Sequence, residues 1–243
     1  MDNDNQPFYT QKYYLWDDMK VFGPAARHTR RIILKWLEDL TFSNVIDISC
    51  GGGQLLAKIG KKFGAVGLTG TELTEKAVEV NRQKDQSTNF ELFEIEHDEP
   101  LTKRDLVLCI DVLEHINGDQ DALRKLKAMT NKYLLIAVPL GKVTIAERES
   151  LGHLHGYTTA EINAKLSIAE LKVIKSLQWG FPFYSIVRTL TNRFSQSPAE
   201  GRVTTFKKLI FNFLYLLYFV NLPIFGGRYF VLCKPLIQNE ISN

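Results

Sequence analysis

Two alternating periods constrain this chain more than any other feature of its sequence. Short apolar runs rich in β-branched residues recur at 45–48, 66–71, 90–95, 105–110, 133–138, 171–176 and 229–233. Between them, apolar residues fall at helical spacing over 27–40, 54–63, 75–83, 119–129, 160–167 and 205–220. Strand, helix, strand in repetition predicts an α/β fold with a doubly wound, mainly parallel sheet, because parallel neighbours need crossover helices between them. Thr74 and the Thr158-Thr159 pair stand where a helix start needs a side-chain oxygen for its first backbone N–H groups. Only 195–201, SQSPAEG, has the composition of a linker, and it reads as a loop within one domain.

A chain of 243 residues with 45% apolar content can bury one large core. The formal charge of +3 is spread along the chain, which excludes the clustered basic footprint of a nucleic-acid binder, so nucleic acid is not expected as a partner. Cys50, Cys109 and Cys233 are an odd, widely spaced set, suited to reduced buried thiols rather than to a disulfide framework or a zinc site. With no signal-peptide pattern at residues 1–18, a cytoplasmic protein is expected.

The stretch NVIDISCGGGQLLAKIG, residues 44–60, places an acid inside the first strand and three glycines at its end. In a doubly wound sheet, ligands bind beyond the C-terminal strand ends, and the first strand-to-helix turn lets a ligand approach the backbone. Gly51 and Gly53 supply that turn, since a residue without Cβ permits unusual dihedrals and close approach. Asp47 sits where a carboxylate is normally expelled from the core, so it needs a cationic or hydrogen-bonding partner. Glu72 ends the second strand 19 residues beyond Gly53. An acid at that spacing accepts hydrogen bonds from ribose hydroxyls, the competing reading being an acid that complements a helix N-terminus.

In order, VIDISCGGG, GTEL, DLVLCIDVLEHI and YLLIAVPLGK, followed by GHLHGYTTAEI, GFPFYS and GGRYFVLCKP, resemble the successive motifs of class I S-adenosylmethionine-dependent methyltransferases, in particular those whose fourth strand ends in V-L-E-H. The resemblance runs from about residue 27 to 235. It implies a Rossmann-like seven-stranded sheet with an antiparallel last strand and S-adenosylmethionine as the cofactor. It further implies that Asp47 and Gly51 face the methionine part, that Glu72 holds the ribose, and that Ile110, Asp111 and Val112 line the site. An adenine contact is expected just after strand three, where Asp98 is chosen over Glu94 and Glu96, although a solvated acidic loop explains all three. The family's usual glycine two residues after the strand's acid is Ser49 here. A position requiring positive φ would make that serine costly. The corresponding domain spans 27–237, with acceptor-covering insertions at about 141–160 and 180–226, an extension at 1–26 and a tail at 238–243.

Methyl transfer from a sulfonium is an in-line displacement from an activated donor, so orientation and a dry pocket matter most. For an oxygen acceptor a general base helps, and His153 and His155, in the segment that covers the acceptor in the family, are the candidates, whereas His115 reads as structural. No carboxylate cluster suggests a hard cation, so no metal is expected. The acceptor is a small molecule, a glycan or a lipid-linked precursor. The segment 206–225 is apolar on all sides of its helix yet too short and broken to span a bilayer. It reads first as a crossover helix packed on the sheet, otherwise as a peripheral membrane contact or a homodimer surface. Two other functions stay open: a non-catalytic relative, suggested by Ser49, and a nicotinamide-dependent dehydrogenase, which fits less well because the turn lacks the third glycine of G-x-G-x-x-G.

Overall fold

The computed structural model describes residues 17–194 and 203–236. Seven strands form one sheet in the order β3-β2-β1-β4-β5-β7-β6. These are β1 Asn44–Ile48, β2 Gly67–Glu72, β3 Asn89–Leu92, β4 Arg104–Ile110, β5 Thr130–Pro139, β6 Leu171–Trp179 and β7 Arg228–Pro235. The first five run parallel, while β7 inserts antiparallel between β5 and β6. All seven expected strands are present, and β3 is shorter than its apolar run because the chain turns at Phe93.

Nine α-helices lie among the described residues: α1 Asp17–Phe22, α2 Pro24–Leu37, α3 Gln54–Phe63, α4 Glu75–Lys84, α5 Asp119–Met129, α6 Ile145–Leu151, α7 Thr159–Ile168, α8 Phe183–Phe194 and α9 Thr205–Leu217. Thr74 accepts from the Ala77 amide, and Thr158 forms a reciprocal capping box with Glu161. Helix α2 begins at Pro24, three residues earlier than its periodicity indicates, because proline at the first position lacks only an N–H that would be unbonded there anyway. The short helices α1 and α6 carry too few turns to show a period. Helix α8, which follows Pro182, lies within the insertion expected at 180–226. The linker-like 195–201 and the tail lie outside the described residues.

Alternate residues of each central strand go to opposite faces, as a two-residue period requires. Ile46, Val107 and Ile136 pack with Leu123, Leu126 and Ile162 from α5 and α7. Val45, Leu106 and Leu135 pack with Ile33, Leu37 and Leu56 from α2 and α3. Two dry layers thus clamp the sheet, leaving the C-terminal ends of β1, β2 and β4 as the edge where loops gather.

Helix α9 corrects the first expectation for its segment. It packs mainly on α2 rather than on the sheet: none of its residues is buried, and Leu214 is the one that packs, half-buried, against the core. It lies against α2, where Arg27 donates to Asn212 Oδ1 (2.8 Å) and His28 Nε2 to the Tyr215 carbonyl (2.8 Å). His28 is fully buried among Trp179, Tyr215 and Phe219, and burial pulls its pKa down to about 4.

Candidate active site

The turn after β1 is built by a run of left-handed residues: Ser49 (φ 54°), Gly51 (φ 59°) and Gly53 (φ 71°). Two bonds to β2 hold its start, from the Ser49 amide to Thr71 Oγ1 (3.1 Å) and from the Cys50 amide to the Thr71 carbonyl (2.9 Å). Asn81, buried on α4, donates to the Gly51 carbonyl (2.6 Å). The turn lies so close to β2 that a Cβ on Gly70 would come within 2.7 Å of Cys50 Sγ. On the open side a Cβ on Gly51 would stand 2.9 Å from Lys20 Nζ, so α1 lays a lysine over the glycines. Arg30 fixes α1 there by donating to the carbonyls of Lys20 (2.5 Å) and Val21 (3.0 Å).

Asp47 and Glu72 are both buried beside this turn, 4% and 8% exposed. Burial, and then the Glu72 charge, push the Asp47 carboxyl up to about 8. Burial, followed by the same two acids, raises the Cys50 thiol, while the Lys20 ammonium acts in the opposite sense. Two desolvated carboxyls side by side form a site for a cation or for several hydroxyl donors. Asp47, Ser49, Gly51, Gly53 and Glu72 thus lie around one turn.

At the end of β4, Ile110 is half-buried, Val112 is buried, and Asp111 takes a left-handed turn (φ 56°) with its amide on the Ala137 carbonyl. Its carboxylate accepts from Arg228, a buried guanidinium whose pKa is raised: burial alone would lower it, and the Asp111 charge outweighs that. A second buried pair lies beside it. Arg188 reaches Glu147 Oε1 with Nε (2.9 Å) and Nη2 (2.6 Å) and the Leu140 carbonyl with Nη1 (2.7 Å). Burial would raise Glu147, but the charge of Arg188 and the Thr144 amide bring it down to about 2.

Between these elements Glu114, His115 and His153 converge, with side-chain N and O atoms within 4.8 Å of one another. Glu114 Oε2 is buried without a hydrogen-bond partner. The amides of Leu154 and His155 both bond the Glu114 carbonyl (2.7 and 3.1 Å), which ties the loop after α6 to the end of β4. His115 Nδ1 lies 3.2 Å from the Gly152 carbonyl, so Nδ1 carries the proton and the Nε2 lone pair is left to the cluster. Burial, then His153, pulls His115 down to about 3; burial also lowers His153 and raises Glu114 well above the carboxylate range. His155 stands apart from it, its ring 6.1 Å from that of Tyr157.

Asp98 is exposed, and its Oδ2 accepts from the Glu94 amide (2.6 Å), closing the turn after β3. Glu96 accepts from the Asn117 and Gly118 amides ahead of α5. Sequence reasoning missed Glu114, although it precedes His115 within V-L-E-H. It also missed Arg228, whose signal was a cation opening an apolar strand. Lys20 lies 31 residues upstream of Gly51 and gives no local signal.

A family model described as a methyltransferase domain matches residues 46–132. The chain is 31% identical over 105 residues to a ubiquinone biosynthesis O-methyltransferase of Coxiella burnetii, covering 40% of this chain and 44% of that protein. It is 32% identical over 92 residues to a ribosomal protein L11 methyltransferase of Burkholderia thailandensis, covering 37% and 30%. The chain thus spans less than half the length of these curated relatives. Among solved structures, the N-methyltransferase NodS from Bradyrhizobium japonicum in complex with S-adenosyl-L-homocysteine superposes with a TM-score of 0.61 at 13% identity, covering 96% of this chain and all of that one. Magnesium protoporphyrin IX methyltransferase from Synechocystis with bound S-adenosylhomocysteine gives 0.58 at 15% identity, covering 90% and 85%. These likenesses share the fold.

Proposed function

We propose that this chain, whose residues 46–132 are a methyltransferase domain within the class I fold, is an S-adenosylmethionine-dependent methyltransferase that methylates oxygen on a small-molecule, glycan or lipid-linked acceptor. The observation that carries the reading is the buried acid pair, Asp47 and Glu72, flanking a left-handed glycine turn. When bound, the cofactor supplies a methyl group already activated by its sulfonium.

Each residue then has a task. Asp47 would hold the amino-acid end of the cofactor and Lys20 its carboxylate. Glu72 would accept from the ribose hydroxyls, Ile110 and Val112 would give apolar walls, and the turn closed by Asp98 would border the adenine. The acceptor enters over the Glu114–His115–His153 cluster. His153, whose pKa burial lowers, is the candidate to accept the acceptor's proton, with Glu114 and His115 beside it. Its loop cannot drift, because the Glu114 carbonyl pins the two residues that follow. Three free cysteines suit a reducing, cytoplasmic setting.

Calorimetry with S-adenosylhomocysteine and with NADH tests the cofactor, the expected result being saturable one-site binding of the first and none of the second. A screen of hydroxylated acceptors, read by release of S-adenosylhomocysteine, tests the reaction. His153→Gln is expected to lower kcat about 100-fold or more, with cofactor affinity unchanged. Binding without turnover on any acceptor favours the non-catalytic alternative.

A further inference from the structure

The face formed by α9, residues 218–225 and the groove between α2 and α3 has the two parts of a membrane-surface contact. Phe206, Leu209, Phe213, Leu216 and Val220 follow helical spacing along one stripe and are 62% to 71% exposed. Ile224 and Phe225 extend it, both exposed. The stripe is held outward because the opposite side of the helix, Asn212 and Tyr215, is bonded to α2. No described helix is long and apolar enough to cross a membrane, which leaves a helix lying in the interface.

The charge beside α9 is mainly positive. A groove of about 560 Å³ runs beside Tyr215 and is lined by Arg27, Arg30, Arg31, Lys35, Lys58 and Lys62, with one acid, Glu38, which pairs with Lys35 and Lys62. Its cations meet aromatic rings on the α2-facing side of α9, behind the apolar strip: the Arg27 guanidinium lies 3.7 Å over the Tyr215 ring and that of Arg31 4.6 Å over Phe219. Lys207 and Lys208 sit in the first turn of α9, where the helix dipole disfavours cations, so their placement is not explained by the helix itself. A second copy of this face would bring like charge to it, whereas lipid phosphates bring the opposite charge.

We propose that this face docks on an anionic lipid bilayer, with α9 and residues 218–225 lying in the interface and the groove taking lipid phosphate. The proposal goes beyond methyl transfer and holds or fails separately from it.

Co-sedimentation of the full chain with phosphatidylcholine vesicles, with and without phosphatidylglycerol, tests it, alongside S-adenosylhomocysteine calorimetry on the same protein. Binding to the anionic vesicles, weakened by added salt, is expected. Phe213→Glu with Leu216→Glu, both at exposed positions, should reduce vesicle binding at least about tenfold. Lys58→Glu with Lys62→Glu should abolish the preference for anionic lipid. Circular dichroism and cofactor binding report whether the variants are folded. Equal failure to bind either vesicle overturns the proposal. So does a dimer that Phe213→Glu dissociates while the wild type ignores lipid, or vesicle binding that survives the paired glutamates.

Discussion

Ser49 is held at φ 54° where a glycine would be at ease, and this gives a stability prediction with a defined size. A left-handed conformation costs an L-residue about 1–2 kcal/mol, through the clash of Cβ with the following carbonyl. Glycine removes the clash but adds freedom to the unfolded chain, which offsets about 0.5–1 kcal/mol. The bond that fixes the residue, from its amide to Thr71 Oγ1, is kept by any side chain. Ser49→Gly is therefore expected to stabilise the fold by about 0.5–1 kcal/mol, a rise of roughly 1–4 °C for a domain of this size. The assay is urea unfolding, where the midpoint should rise at constant m-value, with Ser49→Ala as the control that keeps Cβ and should show no gain. A glycine variant no more stable than wild type, or an alanine variant that matches it, refutes the strain argument. Cofactor affinity is expected to be unchanged, since the turn already adopts its left-handed path with serine in place. A large gain in affinity on Ser49→Gly would instead mark Ser49 as a sign of lost function.

Glu72→Gln keeps the size but removes the charge that accepts from the ribose, so S-adenosylhomocysteine should bind about 1.5–3 kcal/mol more weakly in calorimetry. His28 has a pKa lowered from 6.5 to about 4 by burial. Its contribution to stability is therefore full above pH 6.5 and is lost as pH falls toward 4. His28→Phe should flatten the fall of the unfolding midpoint between those values, and an unaltered slope would count against the assignment. Arg188→Met strands the buried Glu147 carboxylate and should cost about 3–5 kcal/mol in urea unfolding.

How much of this was legible in the sequence follows from the range of each interaction. All seven strands, and the helices α3 and α5 to the residue, could be read because alternation and helical period are local and repeat over many residues. Thr74 and Thr158 marked their helix starts because a cap and the amide it bonds lie three residues apart. The Asp47–glycine–Glu72 arrangement was legible because one βαβ unit contains it. The acceptor side was not. His153 was a candidate, but Glu114, Arg188 and Arg228, which come from three further elements, were not, and what joins them to it is the insertion of β7 between β5 and β6, a fact of sheet order that no local pattern encodes. The orientation of α9 was hidden for a different reason. A helix apolar on every side satisfies the composition of a buried element, and only the bonds of Arg27 and His28 to one of its faces show that the others are left in solvent.

The acid pair also determines how cofactor binding must depend on protons. With its carboxyl raised to about 8, Asp47 is mostly protonated at pH 7 in the free protein, whereas a cationic amino-acid end favours the carboxylate. Binding must then expel a proton, and below pH 8 affinity should rise with pH by at most about tenfold per unit. Calorimetry of S-adenosylhomocysteine in two buffers of different ionisation enthalpy counts that proton directly, and a release approaching one is expected at pH 7. Because the Glu72 charge is the second cause of the Asp47 shift, Glu72→Gln should reduce the release as well as the affinity. Asp47→Asn should abolish the release. Binding with no proton exchange in the wild type would mean that the carboxyl of β1 is not the group the ligand meets.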